Sequence, residues 1–283
     1  MTKVLTWNIQ CGLGIDGRFD LDRIAAVIIS MGDPDVICLQ EVSRGMPDLD
    51  GGTDQPELLA KLFPDHEPFF GTGPDCHDES TNGARRSFGN MILSRLPVPS
   101  VFRHPLPQPA AAGVKHMARQ ATEATVATPG GPLRIMTTHL EFHTLEQRMA
   151  QIERLRALHF EAATNEKHSP KDAEGPYKPL VRPEEMVLCG DFNFEPHDEE
   201  YAALQASFED GVVSLEDGWR GVHGARQHDP TCGIHDHEQW PDGPHCRDFF
   251  FITPGVRART TAIDVDIETD ASDHQPLMLT LRD

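Results

Sequence analysis

No run of apolar residues in this chain is long enough to span a bilayer, and no apolar core of a secretory signal follows the opening Lys3-Val4-Leu5-Thr6-Trp7. The expectation is a cytoplasmic protein with no stable membrane insertion. Cations are scarce as well: Lys and Arg number 25 against 45 Asp and Glu, a formal net charge of −20. Such a chain repels polyanions at long range. Nucleic acid as a partner is therefore disfavoured, because non-specific binding is mostly phosphate neutralisation. The six cysteines, at 11, 38, 76, 189, 232 and 246, are too few and too scattered for a disulfide framework. Cys38 and Cys189 lie inside apolar runs, as buried thiols in a reducing compartment do. No Gly-rich loop runs into a Lys and no Gly-x-Ser-x-Gly elbow occurs, which argues against a P-loop nucleotide hydrolase and an α/β-hydrolase. Internal repeats and heptads are also missing.

What is there is a chain of 283 residues, 38% of them hydrophobic, ample for a core and read as one domain over residues 1–283. Its most informative stretch is Met186 to Glu195. A short apolar run, Met186 to Cys189, has the length of a buried strand and ends at Gly190. Side chains alternate across a strand, so Asp191 and Asn193 share one face while Phe192 and Phe194 take the other. A carboxylate and an amide thus stand together at the exit of a buried strand, where a carboxylate can orient a water or face a metal. An Asx-type turn accounts for the same residues equally well.

The same form recurs along the chain. Lys3 to Ile9 reads as a strand reaching Asn8, and Asp35 to Gln40 as a buried strand that delivers Glu41. Phe88 to Ser94 carries Asn90, and Leu133 to Thr138 ends at His139. Asp248 leads the apolar Phe249-Phe250-Phe251-Ile252, and Asp273-His274 precedes the last strand, Leu277 to Leu281. Helical spacing marks Leu21 to Met31, with Asp20 near its start, and Leu145 to Ala163. Residues 43 to 87 and 97 to 115 are rich in turn formers and read mostly as loop. Strands and helices in this order give an α/β or α+β fold with a large sheet or a sheet pair.

Several carboxylates with amides and histidines, and no cysteine cluster, describe an oxygen-rich site. Such a donor set suits Mg²⁺ or Mn²⁺ rather than a thiolate zinc centre. Trp7-Asn8-Ile9, Leu39-Gln40-Glu41, Gly89-Asn90, Thr138-His139-Leu140, Gly190-Asp191-Phe192-Asn193, Asp248 and Ser272-Asp273-His274 follow one another in that order. Together they resemble the endonuclease/exonuclease/phosphatase superfamily over nearly the whole chain. The resemblance implies an α+β four-layer αββα sandwich, two mixed β-sheets packed face to face with helices outside. It also implies divalent-metal hydrolysis of a phosphate ester. Carried over residue by residue, Glu41 is the principal Mg²⁺ ligand, with Asn8 and Asp273 beside it. Asp191 orients or deprotonates the attacking water and Asn193 holds a phosphate oxygen. His139 and His274 stabilise charge on phosphorus, and Asp248 orients His274. Asn90 is a candidate substrate contact. The Thr138-His139-Leu140 motif resembles the phosphodiesterase and phosphatase branches rather than the abasic-site nucleases, which place a tyrosine there.

The expected activity is that of a phosphodiesterase or phosphatase acting on a small-molecule or lipid-derived phosphate. A DNA or RNA nuclease and an inactive binding module on the same fold are the alternatives. Arg85, Arg86 and Arg119 read as solvated loop charges. Cys232, His235, His237, His245 and Cys246 have the donor types of a zinc site, but their spacing fits a loop lining the pocket mouth better.

Overall fold

A computed structural model describes residues 1–77, 85–168, 170–209 and 211–283. The first half of the chain runs β1 (Thr2–Asn8), α1 (Leu21–Ser30), β2 (Val36–Arg44), α2 (Pro47–Asp50), α3 (Gln55–Leu62), β3 (Glu67–His77), β4 (Arg85–Ser94), β5 (Ser100–Pro105), β6 (Gln120–Thr128) and β7 (Gly131–His139). The second half adds α4 (Leu145–Lys167), β8 (Met186–Asp191), α5 (Glu199–Gln205), β9 (Glu216–Asp217), α6 (Gly218–His223), β10 (Asp248–Ile252), α7 (Pro254–Arg259), β11 (Thr260–Val265) and β12 (Leu277–Leu281).

The strands form two six-stranded sheets, ordered β11-β12-β1-β2-β4-β3 and β5-β6-β7-β8-β10-β9. Both are mixed in the same way. A parallel pair, β1 with β2 in one and β7 with β8 in the other, sits among antiparallel neighbours. A parallel pair needs a crossover, and a helix supplies it each time, α1 and α4. Residue alternation builds the layers. Val4, Val36 and Cys38 of one sheet meet Ile135, Val187 and Cys189 of the other in a shared inner core. Leu5, Trp7, Ile37 and Leu39 point outward onto Ile24 and Ile28 of α1. Met136 and Leu188 point outward onto Ile152 and Leu155 of α4. The result is the expected αββα sandwich. Helix α1 starts where Asp20 accepts a hydrogen bond from the Arg23 N–H, 2.9 Å, the usual side-chain cap.

Two strands were hidden in loop-like sequence. β3 runs through Gly71, Gly73 and Pro74, and β5 occupies part of the Pro- and Ala-rich stretch 97–115. Each is the outermost strand of its sheet, and a sheet edge tolerates the proline and glycine that a central strand excludes. The consequence for function is at one end of the sandwich. The C-terminal ends of both parallel pairs point the same way, and they carry Asn8, Glu41, His139 and Asp191.

Candidate active site

Four local devices aim these side chains. In β2, Gln40 follows the inward alternation and its amide nitrogen donates to Thr6 Oγ1 (3.1 Å) and across the sandwich to Thr137 Oγ1 (2.7 Å). The sheets are thus joined directly beneath the site. Glu41 comes next, and the β2–β4 register shifts between Leu39 and Val42. Its φ is +56°, a bulge geometry that turns the carboxylate off the sheet into the cleft. In β8, Gly190 has φ +134° and a Cβ there would collide with the Thr138 carbonyl oxygen, so only glycine lets the strand deliver Asp191. Asn193, with φ +54°, donates its backbone N–H to Asp191 Oδ1 (2.9 Å) and its amide to the Leu140 carbonyl (3.0 Å). The Asx turn and the cleft-facing carboxylate are one structure. Phe192 and Phe194 pack on the opposite side with Phe249 and Phe251, as alternation required.

Asn8 bridges the two sheets: its Nδ2 donates to Glu41 Oε1 (3.1 Å) and to Asp191 Oδ2 (3.0 Å), while its Oδ1 accepts from the Gln10 N–H (3.1 Å). Its nitrogen, not its oxygen, therefore faces the carboxylates. His139 is the register partner of Asp191, with Nε2 3.4 Å from Asp191 Oδ2 and Nδ1 3.8 Å from Glu41 Oε1. Asp248 lies opposite Asp191 in β10 and holds His274 Nδ1 at 2.8 Å, which leaves His274 Nε2 3.6 Å from Asp191 Oδ2. The turn carrying Asp273 and His274 is tied to β1, since Trp7 Nε1 donates to the His274 carbonyl (2.8 Å) and Ser272 Oγ to the Asn8 carbonyl (2.8 Å).

Charge divides the two histidines. Burial, with the Arg119 cation nearby, pushes His139 down to about 3, so its ring is neutral at pH 7. Burial also works against protonating His274, but Asp248, Asp191 and Asp273 override it and hold the ring charged well above its ordinary range. Asp191 is held below the usual carboxylate range: burial opposes ionisation, while the neighbouring His139 and His274 rings, Asn8 and the Asn193 N–H favour it. Glu41 is raised to about 7, by burial first and then by the Asp273 carboxylate. Asp273 is raised too, chiefly by burial, and Asp248 goes up to about 6 for the same reason.

Asp191, Asp248 and His274 offer atoms within 4.8 Å of one another, the only such His/Cys/Asp/Glu group among the described residues. His274, protonated between the two carboxylates, already supplies a cation at the centre of this group, which functions as an ion-paired triad. Glu41, partly open to the cleft, and the buried Asp273, whose charges repel each other, are the better fit to a hard metal. The zinc donor set does not assemble among the described residues. Cys232 Sγ lies 3.2 Å from His245 Nε2, but His235 contacts the Ile267 carbonyl and Cys246 Sγ the Asp248 carbonyl. The segment lines the site instead, with the Trp240 ring edge-on to His274 at 6.2 Å.

Arg119 corrects its reading as a solvated loop charge, whereas Arg85 is exposed and paired with Asp75. Arg119 is only 8% exposed. Its Nε is 3.5 Å from Glu141 Oε2, and Nε and Nη1 are buried without a hydrogen-bond partner. With Asn90, Gln120 and His139 it lines a small cleft. Asn90 itself donates to the Gln120 carbonyl (3.1 Å). No pattern in the sequence marks Arg119, because its burial depends on Glu141 and on the strands that close over it.

The comparisons with known proteins agree with this geometry. The chain resembles an endonuclease/exonuclease/phosphatase from Beutenbergia cavernae at 29% identity and a TM-score of 0.70, over 98% of this chain and 70% of that one. It resembles humanized D. rerio TDP2 at 21% identity and a TM-score of 0.64, over 100% and 99% of the two chains. A Neisseria 3′ phosphatase, NExo, bound to a product DNA hairpin matches at 17% identity and a TM-score of 0.62, over 100% of both chains. No curated protein matches the sequence. The model of the Endonuclease/Exonuclease/phosphatase family matches residues 5–274, which takes in every site residue from Asn8 to His274, and the protein belongs to that family.

Proposed function

We propose that the protein is a divalent-metal-dependent phosphoesterase acting on a small or lipid-derived phosphate ester, with Mg²⁺ or Mn²⁺ as its metal. The observation that carries this reading is the hydrogen-bonded run Asp248–His274 with Asp191 beyond it, 2.8 and 3.6 Å, next to the Glu41–Asp273 pair. Glu41 and Asp273 would hold the metal, which supplies charge neutralisation at a phosphate oxygen and polarises phosphorus. Asn8, through its amide nitrogen, positions Glu41 and Asp191.

The remaining residues do the proton and charge work. Asp191, ionised and buried, accepts a hydrogen bond from the attacking water and aligns it with phosphorus. His274 is already a cation and donates from Nε2 as negative charge builds on the phosphoryl oxygens; Asp248 on Nδ1 fixes its orientation. Neutral His139 adds a hydrogen bond without adding charge. Arg119, with unpartnered N–H groups in the same cleft, is a further donor for the phosphate. Water adds to phosphorus, the ester oxygen departs with a proton, and an alcohol and a phosphate result.

Nuclease action is the second reading, because TDP2 and NExo have been captured with DNA products. Both are under 25% identical and lend their fold alone. Phosphomonoesters, diesters, phospholipids and duplex DNA assayed side by side, with Mg²⁺ and with chelator, separate the two. Metal-dependent release from the small or lipid esters, with weak, salt-sensitive action on duplex, is expected. Duplex cleaved far faster than every small ester would overturn the assignment.

A further inference from the structure

Beside Glu41 lies a second opening, a cavity of about 460 Å³ whose walls are Leu13, Phe19, Met46, Leu49, Phe88 and Met117. These come from separate parts of the chain: the loop after β1, the α2 turn, strand β4 and the loop before β6. Phe19 and Leu49 remain 51% and 43% exposed, large apolar side chains left half in water at its mouth. The polar side chains of the lining include the carboxylates of Glu41 and Asp48, and neither Lys nor Arg contributes. Pro74, Phe88 and Met117 also line the neighbouring cleft that holds Arg119, Asn90 and His139. The two spaces therefore meet along one wall. One side offers a guanidinium with two nitrogens free of hydrogen bonds, the other an apolar surface with negative charge at its edge.

We infer that this cavity receives the organic group esterified to the phosphate, and that the substrate is an ester of an alcohol bearing a neutral apolar group. The inference rests on the phosphoesterase reading of the adjoining site. A phosphate held by Arg119 and by a metal at Glu41 would stand where the cleft and this cavity share Pro74, Phe88 and Met117, so its ester chain meets the apolar wall of the cavity directly. Its volume is of the size that takes a single modest group. A nucleic-acid strand is a poor occupant, since its next phosphate would lie against Leu13, Phe19 and Leu49 beside the Asp48 carboxylate, with no Lys or Arg among the described lining residues to receive it. Filling the cavity removes the exposed faces of Phe19 and Leu49 from water, which is the driving force for binding.

Two homologous series test it, monoalkyl phosphates and alkyl 4-nitrophenyl phosphates, each from methyl to hexyl at saturating Mg²⁺. In whichever series turns over, kcat/KM should rise about fourfold per methylene for the first few carbons, the gain from burying each one. Leu49→Lys and Phe19→Ser change exposed side chains and leave the core intact. Each should cut the hexyl-to-methyl ratio of kcat/KM by about tenfold. Calorimetry of hexylphosphonate against methylphosphonate, on the metal-loaded protein, reads the same preference without catalysis, and tighter hexyl binding that Leu49→Lys abolishes is expected. Hydrolysis and binding that are both indifferent to chain length would overturn the inference and leave the phosphoesterase reading standing. Chain-length-dependent binding with no hydrolysis of any ester would show the apolar site but overturn the phosphoesterase reading, and the substrate assignment with it.

Discussion

Two nests of charge, one on the outer face of a single sheet and one where the two sheets meet, behave in opposite ways. Glu123 of β6 lies between the sheet and α4, fully buried. Arg182 meets it with two nitrogens, 2.7 and 3.2 Å, and His104 Nε2 stands 3.1 Å away. Burial alone would raise its pKa, but His104, Arg182 and Arg134 bring it down to about 2. At the end of β7 and β8 the same burial acts on Glu41, Asp248 and Asp273, and the cations do not suffice: all three are pushed up. One nest is finished by the protein itself. The other holds carboxylates in excess of its positive charge, with a guanidinium two of whose nitrogens lack hydrogen-bond partners and left-handed φ angles at Gln10, Cys11, Glu41 and Asn193 close by. Incompletely neutralised charge and strained backbone, kept together in a well-packed fold, mark the place where something else must bind.

The sharpest way to probe this contrast is to remove a charge from each nest. His274→Ala takes away a cation that acts mainly as negative charge develops on phosphorus. Turnover should fall roughly 10²–10⁴-fold, the contribution of a positioned acid–base group, with KM little changed. Added Mg²⁺ or Mn²⁺ should not restore it. Steady-state kinetics across a metal titration reads this, and recovery with Mn²⁺ would mean that His274 serves the metal and not the phosphoryl group.

Glu123→Gln is the counterpart in the finished nest, with its effect on stability instead of rate. Arg182 and Arg134 would stay buried without their carboxylate, a cost of about 3–5 kcal/mol for a broken buried pair. Kinetic constants of the folded enzyme at low temperature should match the parent. The pH dependence has a definite sign. The folded pKa of about 2 lies below the ordinary glutamate value of 4.5, so the ionised carboxylate stabilises the protein above pH 4.5. That stability is lost as pH falls from there toward 2. Denaturant unfolding at pH 7 and at pH 3 should show the gap between parent and variant closing in acid. A gap that persists unchanged would assign the loss to packing.

How the two nests read from sequence differs for the same reason. The site was legible because most of its residues flank a short apolar run: Asn8, His139 and Asp191 end strands, Glu41 follows the apolar start of β2, and Asp248 begins a strand. Runs of that kind are local, and so is the alternation that separated Asp191 from Phe192. Arg119 and the Glu123 nest were not legible. Glu123 and Arg134 sit mid-strand on the face turned to α4, where the pattern calls for apolar residues, and their partners come from 20 to 60 positions away in the chain, on the order of the separations that only tertiary folding brings together. Strands β3 and β5 were missed because edge pairing leaves room for Gly71, Gly73 and Pro74. The bulge at Glu41 also leaves no local mark, though without it the carboxylate would face α3 and not the cleft.

Glu41 gives the smallest effect and the most direct reading of the unfinished nest. In the metal-free protein its folded pKa of about 7 stands above the ordinary glutamate value of 4.5. Between these values the folded state keeps a proton that the unfolded chain has released, so stability falls as pH rises from 4.5 to about 7 and then levels off. Glu41→Gln removes the titration and the repulsion from Asp273. Above pH 7 the metal-free variant should therefore melt higher than the parent, by roughly 2–6 °C for a chain of this size. Mg²⁺ should reverse the order, because a cation at the carboxylate pair stabilises only the folded state. Its stabilisation of the parent should be greater at pH 8 than at pH 5.5, where bound protons compete with it. The variant should need far more Mg²⁺ or Mn²⁺ for the same rise, and high metal should partly restore its activity. Thermal melts of both proteins at the two pH values, with chelator and with metal, carry the test. Equal metal-induced shifts in parent and variant would place the metal elsewhere in the cleft and leave Glu41 as a charge that the fold merely tolerates.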